Sequence, residues 1–212
     1  MILAQLFTNP IAVFVWLAAI LYAITVHEFS HALAAKLLGD DTPEHQGRLS
    51  LNPLAHIDQM GLVLLVLVGF GWGRPVQFDA SHLRNRRFGP ALIGLAGPLA
   101  NLASIVVFAL LIRVLMATMQ YSYDNLMIQF FIYLILLNTT LMVFNLIPIP
   151  PLDGHHVLFA LLPDRFWKMR VWLATRGPFL LLGLMVLDMF GGGIVFGSIF
   201  QFFHGLVLRI LL

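Results

Sequence analysis

Long apolar runs dominate the chain, at about Ile11–Leu38, Gly61–Phe70, Phe88–Met119, Leu126–Ile149 and Pro178–Leu212. Polar and charged positions collect between these runs and do not alternate within them. A helix needs roughly 20 apolar residues to cross a ~30 Å hydrocarbon layer, so the first, third and fourth runs each predict a span. Gly61–Phe70 is too short, and predicts an element that dips into the membrane or lies on its surface and returns. The last run is broken by Gly191-Gly192-Gly193 and carries Asp188, which predicts one interrupted span or a hairpin of two. The pattern predicts an all-α polytopic membrane protein with four to six transmembrane helices and a re-entrant or interfacial hairpin after the first span.

Composition agrees. The chain is 212 residues long, 60% hydrophobic and 10% charged, with no cysteine. A soluble domain carries about 25% charged residues, so the lipid bilayer is the expected surrounding. The missing thiols exclude disulfides and thiolate metal sites. No basic patch with interleaved aromatics suggests nucleic acid, and the length suits one domain over residues 1–212. The start, MILAQLFTNP, has neither a positive n-region nor a small-residue cleavage site, so no removable signal peptide is expected.

Charge placement then predicts orientation. Lys36, Arg48, Arg74, Arg84, Arg86 and Arg87 cluster after the first span, and Arg165, Lys168, Arg170 and Arg176 lie between Pro150 and Gly177. Ten of the twelve lysines and arginines fall in these two connections, which the positive-inside rule assigns to the cytoplasm. The N-terminus is then outside, provided that Gly61–Phe70 turns back without crossing.

Within the first span lies HEFSH, residues 27 to 31. Histidines four apart stack on one helix face, with Cβ atoms roughly 5–6 Å apart, so both imidazoles reach one metal ion and Glu28 sits beside them as a general base. At 1.5 Å per residue, His27 is about 24 Å along a helix begun at Ile11, still inside the hydrocarbon layer. Ionisable groups are expensive there and are functional by default. Catalytic zinc takes three protein ligands and a water, so a third ligand is required. Candidates are Asp153, His155, His156, His56 and Asp188. Asp153 lies in NLIPIPPLDGHH, residues 145 to 156, where three prolines break a helix. It reads either as a ligand or as a turn aspartate capping the short segment His155–Leu162. His56 and Asp188 read as structural.

HEFSH followed by NLIPIPPLDG resembles the site-2 protease family of intramembrane zinc metalloproteases (peptidase family M50). AGPLAN (96 to 101), SLNPLAHID (50 to 58) and FGWGRPVQF (70 to 78) add to the likeness, which covers about residues 9–163. The resemblance implies one zinc ion per chain held by His27, His31 and Asp153, with Glu28 as the catalytic glutamate. It implies that Asn145 orients substrate or an oxyanion, and that the helix around Asn101 packs beside the site. It further implies a minimal form without PDZ or CBS domains, in a prokaryotic cell membrane, with the active site toward the cytoplasm. The implied partner is a transmembrane protein or peptide, cut during regulated intramembrane proteolysis. FGWGRPVQF reads either as an extended edge that pairs with an unwound substrate or as an interfacial loop anchored by Trp72. Rival classes are a membrane metal transporter and a non-proteolytic scaffold.

Overall fold

The computed structural model describes residues 9–68 and 71–211; the first eight residues, on which the leader expectation rests, lie outside it, as do Gly69 and Phe70. Among the described residues there is no strand, and five helices are long and apolar enough to cross a membrane. These are α1 (Pro10–Leu37), α3 (Gly89–Met119), α4 (Leu126–Asn145), α6 (Trp167–Phe190) and α7 (Ile194–Leu211); the short helices α2 (Gln59–Val68) and α5 (Gly154–Leu161) lie between them.

Local chemistry sets the boundaries. Asn9 accepts the Ala12 N–H and Pro10 fills the first helical position of α1, which supplies a cap where backbone donors are otherwise unmet. Asn125 does the same for α4 through the Met127 N–H. The ten-residue α2 spans only about 15 Å, too little to cross, in line with an element that enters and returns. The last apolar run forms a hairpin of two spans. Its first helix starts at Trp167, eleven residues before Pro178, because WKMRVWLATR contains good helix formers and interface-seeking tryptophans. The turn at Gly191–Gly193 is locked by Asp188, whose carboxylate accepts the N–H groups of Val195 (2.6 Å) and Phe196 (3.2 Å) at the start of α7. Asp188 is thus a capping residue across the hairpin, as the structural reading expects.

Helices α1, α3 and α4 form the central bundle, with α7 against α4 and α5 against α3. Ala19 and Ala23 of α1 are fully buried, and such small residues let membrane helices approach closely. At one end Ile105, Ala109 and Ile112 of α3 interlock with Ile128 and Ile135 of α4. At the other end Ala35, Leu83 and Ile93 anchor the polar connection to the bundle.

That connection is also tied by Asp40. Its buried carboxylate accepts from Thr42, from the Asp79 N–H (2.7 Å) and from His82 Nδ1 (3.3 Å). Burial opposes ionisation, but these donors outweigh it and hold the Asp40 pKa below the usual carboxylate range. A depressed folded-state pKa gives stability that is present above the ordinary value and lost as pH falls through the folded one. Hydrogen-exchange protection of residues 79–82 is therefore expected to stay constant from pH 8 to 5 and to fade only below about pH 4. Protection already lost at pH 6 would contradict this.

Candidate metal centre

HEFSH lies in the C-terminal half of α1, and regular helix geometry sets His27 and His31 one turn apart on the face toward α3. Both are buried, 3% and 5% exposed. Their rings sit edge to face, with centroids 4.6 Å apart. His27 Nδ1 donates to Asn101 Oδ1 at 2.6 Å, and His31 Nδ1 donates to the Ile93 carbonyl at 2.7 Å. The directions follow from the partners. Ile93 offers only an oxygen, and the Asn101 amide nitrogen already donates to Asn138 Oδ1 (2.8 Å) and the Ala23 carbonyl (3.3 Å). Both Nε2 atoms therefore keep a lone pair and point inward.

The third member arrives from the proline-rich turn after α4. Gly154 makes that turn possible, since a Cβ there would lie 2.3 Å from the Leu146 carbonyl oxygen. Asp153 occupies the N-cap position of α5 but makes no capping hydrogen bond, so the turn-cap reading fails. Its Oδ2 lies 3.0 Å from His27 Nε2 and 3.3 Å from His31 Nε2, which are themselves 3.0 Å apart. The same Oδ2 is buried and has no hydrogen-bond partner. Three acceptors this close repel unless a proton or a metal cation lies among them. Ligands at 2.0–2.1 Å on a tetrahedral zinc stand about 3.3 Å apart, close to what is seen. The donor set and its spacing fit zinc.

Helix α3 is built around this cluster. A Cβ on Gly97 would fall 2.5 Å from His31 Nε2 and 2.6 Å from His27 Cε1, so only glycine leaves room for both rings. Ile93, Gly97 and Asn101 follow one another at four-residue steps on one face. Asn101 and Asn138 are fully buried, and Asn138 Nδ2 closes the chain on the Leu134 carbonyl at 2.7 Å. Partners of this kind orient metal ligands and typically carry 10–100-fold in affinity. Asn101→Leu is expected to weaken zinc binding by about that factor, measured by competition with a fluorescent chelator in detergent. An unchanged affinity would refute the orienting role.

Glu28 lines a cavity of about 520 Å³ together with His27, His31 and Asp153. Its Oε2 accepts the Val76 N–H at 3.1 Å. Residues 72–78 are held across the cavity mouth by a single antiparallel bridge, Ile57 to Gly73, with the Arg74 N–H on the His56 carbonyl at 2.8 Å. Arg48 is buried beneath and clamps both sides, donating to the carbonyls of Ala55 and Arg74. Sequence reading left this segment as either an extended edge or an interfacial loop; it foresaw neither the clamp nor the bond to Glu28, which is made by backbone and leaves no residue signature.

The remaining candidates stand apart; among the described residues only His27, His31 and Asp153 form a ligand group. His56 is fully buried and bonds the Ser50 carbonyl through Nε2 at 2.7 Å. His155 bonds the Leu152 carbonyl through Nδ1 at 2.7 Å. Asn145 lines the cavity, with one amide hydrogen on the Leu141 carbonyl at 3.0 Å. An intramembrane histidine not singled out from sequence, His204 of α7, meets Thr140 Oγ1 at 2.9 Å and ties α7 to the cavity wall.

An all-helical membrane bundle with a buried two-histidine, one-carboxylate group beside a glutamate defines a metallohydrolase class, and comparison with known proteins narrows it. The model of "Peptidase family M50" matches residues 113–184, which include Asp153 but not HEFSH. The "Putative zinc metalloprotease YwhC" of Bacillus subtilis is 38% identical over 147 residues, covering 68% of this chain and 67% of that protein. The "Putative zinc metalloprotease Rip2" of Mycolicibacterium smegmatis is 33% identical over 150 residues, 67% of this chain and 55% of the relative. Its Mycobacterium tuberculosis namesake (strain H37Rv) is 32% identical over 180 residues, 81% and 65%. No solved structure matches. The chain belongs to peptidase family M50, a family of metalloproteases.

Proposed function

We propose that this protein is an intramembrane zinc endopeptidase, hydrolysing peptide bonds in or near transmembrane segments of membrane-anchored substrates. The observation that carries the reading is the convergence of His27, His31 and the orphaned Asp153 Oδ2 inside a span-lined cavity that also holds Glu28. These three residues would hold one zinc ion per chain. When bound, zinc supplies Lewis acidity that brings the pKa of water toward neutrality and stabilises developing oxyanion charge.

The chain's own residues do the rest. Glu28 is anchored through Oε2 by the Val76 N–H, and its Oε1 takes a proton from the attacking water and passes it to the leaving amide nitrogen. The mostly apolar, half-buried cavity walls limit water around the site, while Asn145 keeps one amide hydrogen beyond the Leu141 carbonyl to orient the substrate. A regular helix hides its carbonyls, so the substrate must unwind. The outer edge of residues 74–78 offers backbone groups for that unwound strand. Proline substituted at Gln77 is expected to slow cleavage at least tenfold with folding retained; unchanged cleavage would leave this segment as a plain interfacial loop.

For orientation, five spans with the N-terminus outside put the C-terminus and Arg209 in the cytoplasm, adding one more cation to the side the positive-inside rule favours. The metal group then lies toward the cytoplasmic face of a prokaryotic cell membrane. Regulated cleavage of a membrane-anchored factor is the role this geometry suits.

The test is cleavage of a tagged single-span substrate in detergent by wild type and Glu28→Gln, with zinc content measured for both. Expected is zinc in both and cleavage by wild type alone. Equal cleavage by the two, or none by either with zinc bound, would defeat the protease reading. Zinc flux into liposomes that survives Glu28→Gln would point to transport.

A further inference from the structure

His156 has no assigned role, yet its surroundings are built around it. It lies in the first turn of α5, three residues after Asp153, so the two share a helix face at roughly 5–6 Å between Cβ atoms. Its half-buried side chain lines the same cavity as Glu28, His31 and Asp153. The ring is held on several sides. His155 lies against it, ring centroids 3.8 Å apart and tilted by 38°, and is itself fixed by the Leu152 carbonyl. Phe78, from the edge across the cavity mouth, lies at 5.4 Å. Beneath it is Gly94 of α3.

Clamped in this way, the imidazole has nevertheless no hydrogen-bond partner for either ring nitrogen among the described residues. A structural histidine in such a place finds a carbonyl, as His56 and His155 do. The half-buried ring nitrogens of His156 are not sealed off and stay open to whatever enters the cavity. We propose that His156 contacts the substrate directly, its ring N–H hydrogen-bonding the carbonyl oxygen of the peptide group under attack as negative charge develops there. The geometry favours that atom over a substrate side chain. Val76 and Phe78 line the same cavity as Asp153, and His156 stands one helical turn after Asp153 with Phe78 against its ring. Of the other polar side chains on the wall, Asn145 has already committed one of its hydrogens to the Leu141 carbonyl and Thr140 its hydroxyl to the Leu136 carbonyl.

The inference rests on the protease reading, and the experiment separates the two. Wild type, Glu28→Gln, His156→Phe and His156→Gln are assayed on the tagged single-span substrate, with kcat and KM resolved and zinc content determined. Affinity for a peptidyl phosphinate, a mimic of the tetrahedral transition state, is measured in parallel. His156→Phe keeps the ring contacts with His155 and Phe78 and removes the donor; His156→Gln restores an N–H. Expected for His156→Phe is full zinc content, KM within threefold of wild type, and kcat and phosphinate affinity both lower by about 100-fold. His156→Gln should recover at least tenfold of each. The proposal is overturned if His156→Phe keeps kcat within threefold, if its rate falls only in proportion to lost zinc, or if His156→Gln is no better. A wild type as inactive as Glu28→Gln overturns the protease reading itself, and this inference with it.

Discussion

Gly97→Ala is expected to abolish zinc binding and hydrolysis together, although it adds a single methyl group to a residue that ligates nothing. The added Cβ would lie 2.5 Å from His31 Nε2 and 2.7 Å from His27 Nδ1. Neither ring can swing away cheaply, because His27 is held by Asn101 and His31 by the Ile93 carbonyl. Relief therefore means breaking one of these bonds or pushing α3 off α1, and both misdirect the Nε2 lone pairs. Misorientation of ligands by an outer partner alone costs 10–100-fold in affinity, and a collision with both histidines should reach or exceed the upper figure. The matched control is Gly183→Ala on α6, whose Cβ would meet nothing within 4 Å and which should leave both properties unchanged. Zinc content after dialysis, read by elemental mass spectrometry, decides the matter. A Gly97→Ala protein with stoichiometric zinc would mean that α3 does not shape the site.

Asp153→Asn should produce a similarly large loss by a different route. The substitution keeps the shape of the turn after α4, so Gly154 and the start of α5 are undisturbed. What disappears is the negative charge facing the two imidazole Nε2 atoms and an oxygen, Oδ2, that has no protein partner to satisfy. An amide nitrogen placed there would donate to a histidine Nε2 and consume the lone pair needed for a metal. Zinc affinity should fall beyond the roughly 100-fold that an outer partner costs, while thermal stability of the metal-free protein should rise or hold. The sign of the stability change is informative. A protein whose Asp153 only capped a helix would instead lose about 1 kcal/mol on the same substitution.

The parts of this architecture legible in the sequence are those written in side-chain type and period. Apolar length gave the spans, and the shortness of Gly61–Phe70 predicted a helix that does not cross, seen as α2. HEFSH gave two candidate ligands because helical spacing converts directly into a shared face. Asp153 was harder: it stood beside four other candidates, favoured by its place at a proline-broken helix end and by the resemblance, and the fold brings it beside the two histidines. Two features left no readable trace, because the Ile93 carbonyl and the Val76 N–H act through the backbone. Gly97 stands in AGPLAN, but its contact with both histidine rings appears only in the fold. The start of α6 inside a charged connection was also obscured, since tryptophan and arginine at a membrane interface extend a helix that hydropathy alone would truncate.

The most direct test of a hydrolytic centre placed within the membrane is the position of the cut. A single-span substrate is co-reconstituted with the protein in liposomes, and the new termini are identified by mass spectrometry for wild type and Glu28→Gln. The account predicts termini inside or at the edge of the apolar segment, formed by wild type and absent with Glu28→Gln. Cuts confined to the water-exposed flanks, or the same termini from both proteins, would contradict it.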